Sequence, residues 1–163
     1  MANRILEKIR QTRPFATLEE EAALNIVRTA DALKRGGELL FRRHGITSAQ
    51  YNVLRILRGA GDRGLHCSAI ADRMITAEPD ITRLLMRMER LCLLVRQRDK
   101  SDRRMVTAIA TERGLQLLVE LEDPLRELQE QQFRSLSDEE IGALIDGLEK
   151  VREDVTKSRV SGE

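Results

Sequence analysis

The sequence has no tryptophan, and aromatic residues make up only 2% of its 163 positions. A core must therefore be built from Leu, Ile, Val, Met and Ala, which suits packed helices. Cysteine is scarce as well: Cys67 and Cys92 are too few for a disulfide framework and read as reduced thiols. No stretch reaches the roughly 18 consecutive apolar residues of a membrane span, and Met1 does not lead into a secretory signal. A cytoplasmic protein with no membrane partner is expected. The sequence also lacks a nucleophile elbow, a P-loop, a dinucleotide fingerprint and a metalloprotease motif, so no enzyme activity, catalytic residue or cofactor is expected. His44, His66, Cys67 and Cys92 do not have the spacing of a four-ligand zinc site. They read as polar loop histidines and small buried thiols, and no metal is expected.

What the chain does have is charge, unevenly placed. The formal net charge is only +1. Residues 83–109 nevertheless hold eight Arg or Lys against three Asp or Glu, a local +5, and residues 110–163 hold seven against fourteen, a local −7. Basic and acidic functions are thus separated along a chain long enough for one domain with helical extensions.

Three stretches carry capping-box signatures, in which a hydroxyl accepts from the third helical N–H while the side chain three residues on reaches back. Thr17-Leu18-Glu19-Glu20 predicts a helix of about seven turns with Ala23, Ile26, Val27, Ala30, Leu33, Leu40 and Phe41 on one face, stopped at Gly45. Thr47-Ser48-Ala49-Gln50 opens a second helix with Val53, Leu54 and Leu57 inward, ended by Gly59-Ala60-Gly61. A short helix around Ser68 to Met74 follows. The next helix is expected to be capped by Thr76 with Pro79 in its first turn, where no helical N–H is needed. In it Ile81, Leu84, Leu85 and Met88 face inward, leaving Asp80, Thr82, Arg83, Met86, Arg87 and Arg90 outside. Leu91 to Val95 and Met105 to Ile109 read as the arms of a β-hairpin. Beyond Thr111 a leucine-rich helix runs to about Phe133 with a bend expected near Pro124, and the third capping box, Ser137-Asp138-Glu139-Glu140, starts a last helix with Ile141, Leu144, Ile145, Leu148 and Val151 as its stripe.

Between the hairpin arms lies "RQRDKSDRR", residues 96–104, with five basic side chains and two aspartates. A short helix, a turn, an Arg-faced helix and a basic hairpin fit duplex DNA. A helix fills the major groove, where Arg and Thr reach base edges, and a hairpin reaches phosphates and the adjacent minor groove. Asp99 and Asp102 suit this use because a carboxylate can fix the orientation of an Arg. Asp80 fits two roles, capping its helix or accepting from a cytosine amino group.

From Ile46 to Gly114 the chain resembles the MarR (multiple antibiotic resistance regulator) family of winged helix-turn-helix transcription factors. The resemblance is carried by "ITSAQYNVLRIL", "AIADRM", "DITRLLMRMERLCLLVRQRDKSDRR" and "TERG". It implies a mainly α fold with a small β-hairpin wing: residues 1–45 and 111–163 supply dimerisation helices, and residues 46–110 form the DNA-binding lobe. It implies a homodimer on a pseudo-palindromic operator, acting as a repressor that answers to a small-molecule effector. Asp80, Thr82, Arg83 and Arg87 would lie on the recognition helix, Arg98, Lys100, Arg103 and Arg104 on the wing, and Asp99 and Asp102 beside them as orienting carboxylates. Phe41, His44 and Tyr51 fall near the junction where the family's effectors bind, although core packing or helix capping would also account for them. Cys92 replaces the glycine common before the wing strand. The competing expectation is a helical interaction module whose basic face binds an acidic protein or nucleic acid without sequence selectivity; operator preference beyond salt dependence separates the two.

Overall fold

The computed structural model describes residues 10, 12–98 and 106–160. In order these form α1 (Leu18–Arg43), α2 (Ser48–Ala60), a 3-10 turn (Gly61–Arg63), β1 (Leu65–His66), α3 (Cys67–Ala71), α4 (Ile81–Arg90), β2 (Leu94–Arg98), β3 (Val106–Ala110), α5 (Glu112–Phe133) and α6 (Asp138–Val160). The chain divides into two compact units, Met1–Leu125 and Arg126–Glu163.

Two of the three expected capping boxes form in full, and the third forms in part. At Thr47 and Ser137 both reciprocal bonds are made: Gln50 N–H donates to Thr47 Oγ1 and Glu140 N–H to Ser137 Oγ, while Thr47 N–H and Ser137 N–H donate to the side chains of Gln50 and Glu140. At Thr17 the forward bond from Glu20 N–H forms, but the Glu20 carboxylate accepts from Ala16 N–H, one residue earlier than expected. Helix α1 closes in a Schellman turn: Gly45 N–H donates to Arg42 O and Ile46 N–H to Phe41 O. Gly45 supplies the positive φ of 73° that the turn requires. Its hydrophobic clasp is Ile46 against the Phe41 end of the helix, both buried.

The first unit builds its core from α2, α4, the sheet and the start of α5. Val53, Leu54, Leu57, Leu84, Leu85 and Met88 are buried together with Ile70, Leu94, Ala108 and Leu118. The expected inward phases of α2 and α4 are those observed. The apolar face of α1 behaves differently. Phe41 is buried, but Leu18 and Val27 are 81% and 66% exposed. In the second unit Leu144, Ile145, Val151 and Val155 of α6 are also exposed.

Several boundaries differ from expectation. Helix α3 spans five residues rather than reaching Met74, because the chain then tightens into i→i+3 bonds from Arg73 N–H to Ile70 O and Met74 N–H to Ala71 O. Helix α4 is capped by Asp80, not Thr76, and Pro79 stands before the helix rather than in its first turn. A carboxylate next to the first helical residue satisfies the helix N–H directly, and Pro79 biases the residue before it toward extended geometry. The first hairpin arm starts three residues later than expected, at Leu94, and the second is described from Val106, the expected first residue Met105 lying outside the described residues. The sheet also has a third strand, in the order β1-β3-β2, with Leu65 opposite Ala108 and His66 opposite Thr107. Helix α5 continues through Pro124 to Phe133 as expected. No helix among the described residues is long and apolar enough to cross a membrane.

Candidate nucleic-acid interface

The sequence builds α4 as a two-sided element. Leu84, Leu85 and Met88 lock one side into the core, so the opposite side is held in register without help from any ligand. That outer side carries Thr82, Arg83, Met86, Arg87 and Arg90, all exposed, which with Asp80 line an open groove of about 480 Å³. The two carboxylate oxygens of Asp80 have separate roles. Oδ1 accepts from Arg83 N–H at 2.9 Å and caps the helix, and Oδ2 lies 3.7 Å from Arg83 Nε. Of the two roles open to Asp80 in the sequence, the cap is therefore made within the chain.

Helix α4 ends as α1 does, in a Schellman turn. Cys92 N–H donates to Glu89 O at 2.9 Å and Leu93 N–H to Met88 O at 3.0 Å. Here the residue with positive φ is Cys92, at 58°. This explains why a glycine-type position precedes the wing strand, and why Leu91 to Leu93 form a turn and not the start of β2. Cys92 is exposed and Cys67 half-buried, so Cys92 is not the buried thiol expected. A side chain at the outer end of a left-handed turn has no core to enter.

Strand β2 is then fastened back to α4. The Glu89 carboxylate accepts from Arg96 N–H at 3.2 Å and from Arg96 Nε at 2.9 Å, and Arg96 Nη2 lies 2.8 Å from its Oε2. The hydrogen bond from the Arg96 side chain, with the guanidinium charge and the backbone N–H adding to it, holds the Glu89 carboxyl below its usual range against the opposing effect of burial. Charge counting along the sequence places Arg96 among the wing's solvated cations and does not pair it with Glu89. The signal available was a carboxylate in the last turn of a helix and a strand Arg seven positions on.

The other side of the hairpin is set by "TERG". Thr111 N–H donates to Leu93 O, and Thr111 Oγ1 donates to Cys92 O at 2.6 Å while accepting from Gly114 N–H at 3.1 Å, so one hydroxyl joins the α4–β2 turn to the start of α5. Gly114 is needed for close approach: a Cβ there would collide with the Leu93 carbonyl and press on Leu54. Strands β2 and β3 pair from Leu94 opposite Ala110 to Arg98 opposite Val106. The expected wing residues Lys100, Arg103 and Arg104, with Asp99 and Asp102, lie outside the described residues; Arg98 is the last residue of β2.

Phe41, His44 and Tyr51 separate into two environments. Phe41 and Tyr51 stack on each other, with centroids 4.6 Å apart and planes 25° apart, and Arg55 lies over the Tyr51 ring. His44 caps α1, and its Nδ1 donates to Leu40 O at 3.1 Å. It also lines a cleft of about 500 Å³ with Ile46, Leu91, Arg113, Gln116 and Glu120 among its walls. His66 Nδ1 shares a 3.1 Å hydrogen bond with Thr107 Oγ1 across the β1–β3 pair. Among the described residues no group of three or more His, Cys, Asp or Glu is placed to hold a metal.

Residues 46–106 match the model of the MarR family. The HTH-type transcriptional regulator MhqR of Bacillus subtilis (strain 168) is 32% identical over 110 residues, which cover 67% of this chain and 74% of MhqR. The crystal structure of a MarR transcription factor from Planctomyces limnophilus superposes with a TM-score of 0.67 at 39% identity, covering 83% of this chain and 98% of that one. A mutant MarR from E. coli, complexed with operator DNA, shares the fold with a TM-score of 0.72 at 21% identity, over 83% of this chain and 99% of its own. With a capped helix, a Schellman turn, a strand and a Thr-x-x-Gly return in one continuous block, the chain belongs to the MarR family of winged-helix transcriptional regulators.

Proposed function

We propose that the chain binds a pseudo-palindromic DNA operator as a homodimer and acts as a repressor released by a small-molecule effector. The observation that carries this reading is the two-sided build of α4: its apolar side is fixed in the core, and its outer side offers Thr82, Arg83, Arg87 and Arg90 to a groove. Arg83 and Thr82 read base edges, with Asp80 restraining Arg83 from one side, and Arg87 answers a phosphate. On the wing, Arg98, Lys100, Arg103 and Arg104 meet the backbone and the minor groove, with Asp99 and Asp102 orienting them.

The uncovered apolar side chains of α1 and α6 support a second copy as the partner, since helix faces of this kind are stable only when something covers them. In this reading residues 1–45 and 111–163 are the dimerisation region and residues 46–110 the DNA-binding lobe. A C₂ dimer then presents two recognition helices about one helical turn of DNA apart. The cleft beside His44 has the size of a small-molecule site, and its walls set His44, Arg113, Gln116 and Glu120 among apolar side chains, polar groups that can orient a small ligand. An effector there releases DNA by preferring a dimer whose recognition helices are wrongly spaced.

Selection from a random duplex pool tests the reading. Wild-type protein should enrich one palindrome and bind it at least about 10³-fold more tightly than a scrambled duplex at physiological salt. Arg83→Ala should relax base preference, and Arg103→Ala or Arg104→Ala should weaken binding of the selected duplex with folding retained. Binding that follows salt alone, with no enriched sequence, would replace this reading with a charge-driven interaction module.

A further inference from the structure

We infer that Glu89 is a positioning residue: by holding Arg96 it fixes the wing strand to the recognition helix, and Arg96 serves operator selection through that link rather than as a phosphate contact. The inference rests on the operator-binding reading above. Two N–H groups of one residue donate to one carboxylate, Nε of the guanidinium and the main-chain amide, and Arg96 Nη2 lies 2.8 Å from the same carboxylate as an ion pair. The main-chain bond matters most, because it fixes the backbone of β2 at the residue opposite Ala108 and not merely a flexible side chain. Ala108 is fully buried at the centre of the sheet, so β2 is pinned on one side by its ladder and on the other by Glu89.

Charge points the same way. Arg96 is 23% exposed and its guanidinium is neutralised where it stands, whereas Arg83, Arg87 and Arg90 of α4 stand open on the groove side. Removing the pair therefore changes little of the long-range attraction for a polyanion. It changes the angle and distance at which the wing meets the duplex relative to α4. Hydrogen bonds to charged groups are strong enough for that restraint to register in affinity, and the ordinary i,i+4 ion pairs of α1 offer nothing similar because they connect a helix only to itself.

The test uses full-length protein, the duplex that wild type enriches from a random pool, and a scrambled duplex of equal length. Glu89→Ala and Arg96→Ala should each weaken the selected duplex roughly tenfold, the double variant should be no weaker than the worse single one, and the double variant, whose net charge is unchanged, should bind the scrambled duplex as wild type does. The salt slope should stay unchanged in Arg96→Ala, where loss of a phosphate contact would lower it by about one. Glu89→Gln, which keeps an acceptor for the main-chain N–H, guards against misfolding and should lose less than Glu89→Ala. The inference is overturned if the salt slope of Arg96→Ala falls by about one, if Glu89→Ala tightens both duplexes, or if the single losses add. It is overturned as well if Glu89→Gln loses the selected and scrambled duplexes equally. Wild-type protein that enriches no duplex sinks the operator reading itself, and the inference with it, and that result is distinct from each of the others.

Discussion

Helices α1 and α4 are both amphipathic and both end in a Schellman turn, yet their apolar faces meet opposite conditions. Helix α4 buries Leu84, Leu85 and Met88 within its own chain, while α1 leaves Leu18, Val27 and Leu39 open and buries only its final Phe41. An apolar residue at every third or fourth position states that a face will be covered. It does not state by what. The cover for α4 lies in the lobe that follows α1, and the exposed part of α1 has none within the described residues of its own unit.

The sharpest way to break the comparison is to damage each face and see which equilibrium responds. Leu85 is fully buried, so Leu85→Ala should cost about 2–5 kcal/mol of unfolding free energy, read from urea denaturation at fixed protein concentration. A loss below about 1 kcal/mol would mean that α4 is not seated in a close-packed core. Val27→Glu should act on association instead. The dissociation constant of the proposed homodimer should rise at least about 30-fold, close to 2 kcal/mol, with far-UV helicity retained. Sedimentation equilibrium measures it, and an unchanged constant would remove the exposed face of α1 from the interface.

Local signals in the sequence carried most of the fold. The capping boxes at Thr47 and Ser137, the stop at Gly45 and the inward phase of α4 depend on contacts within a few residues, and each appears where the residues place it. The two misplaced features near α4 are also local, but they involve competition. Asp80 outdid Thr76 as the cap, and Cys92 took a left-handed conformation that only the turn's two hydrogen bonds justify. Strand β1 was not legible, since two residues have no periodicity and their pairing comes from β3, some forty positions away. For the same reason charge counting grouped Arg96 with the wing cations. Its place in the structure is decided by Glu89 across a turn whose shape no residue pattern in the strand specifies.

The two Schellman turns give a smaller test. At Gly45 the left-handed residue costs little, whereas at Cys92 a Cβ occupies the same region of backbone space. Cys92→Gly should therefore raise stability by about 1 kcal/mol, and Gly45→Ala should lower it by a similar amount. Thermal unfolding of both variants checks the pair. If Cys92→Gly destabilises, the side chain makes a contact that offsets its backbone strain.

The smallest expected effect separates the charges of the two helices. Glu38 of α1 faces Lys34 and Arg42 within one exposed helix surface, an arrangement that contributes little in water, whereas Glu89 of α4 reaches across to Arg96 on another element. Because the Glu89 carboxyl is held below its usual range, the folded protein binds fewer protons there than the unfolded chain. Its contribution is fully present above the ordinary glutamate range and is lost as pH falls through the lowered value. The difference in Tm between wild type and Glu89→Gln should thus be greatest near neutral pH and shrink steadily below the ordinary glutamate range. The carboxylate is still more than one-third exposed, so solvent screening keeps the effect under that of Cys92→Gly. A Tm difference that stays constant across that acid range would show that Glu89 acts through its shape and not through its charge.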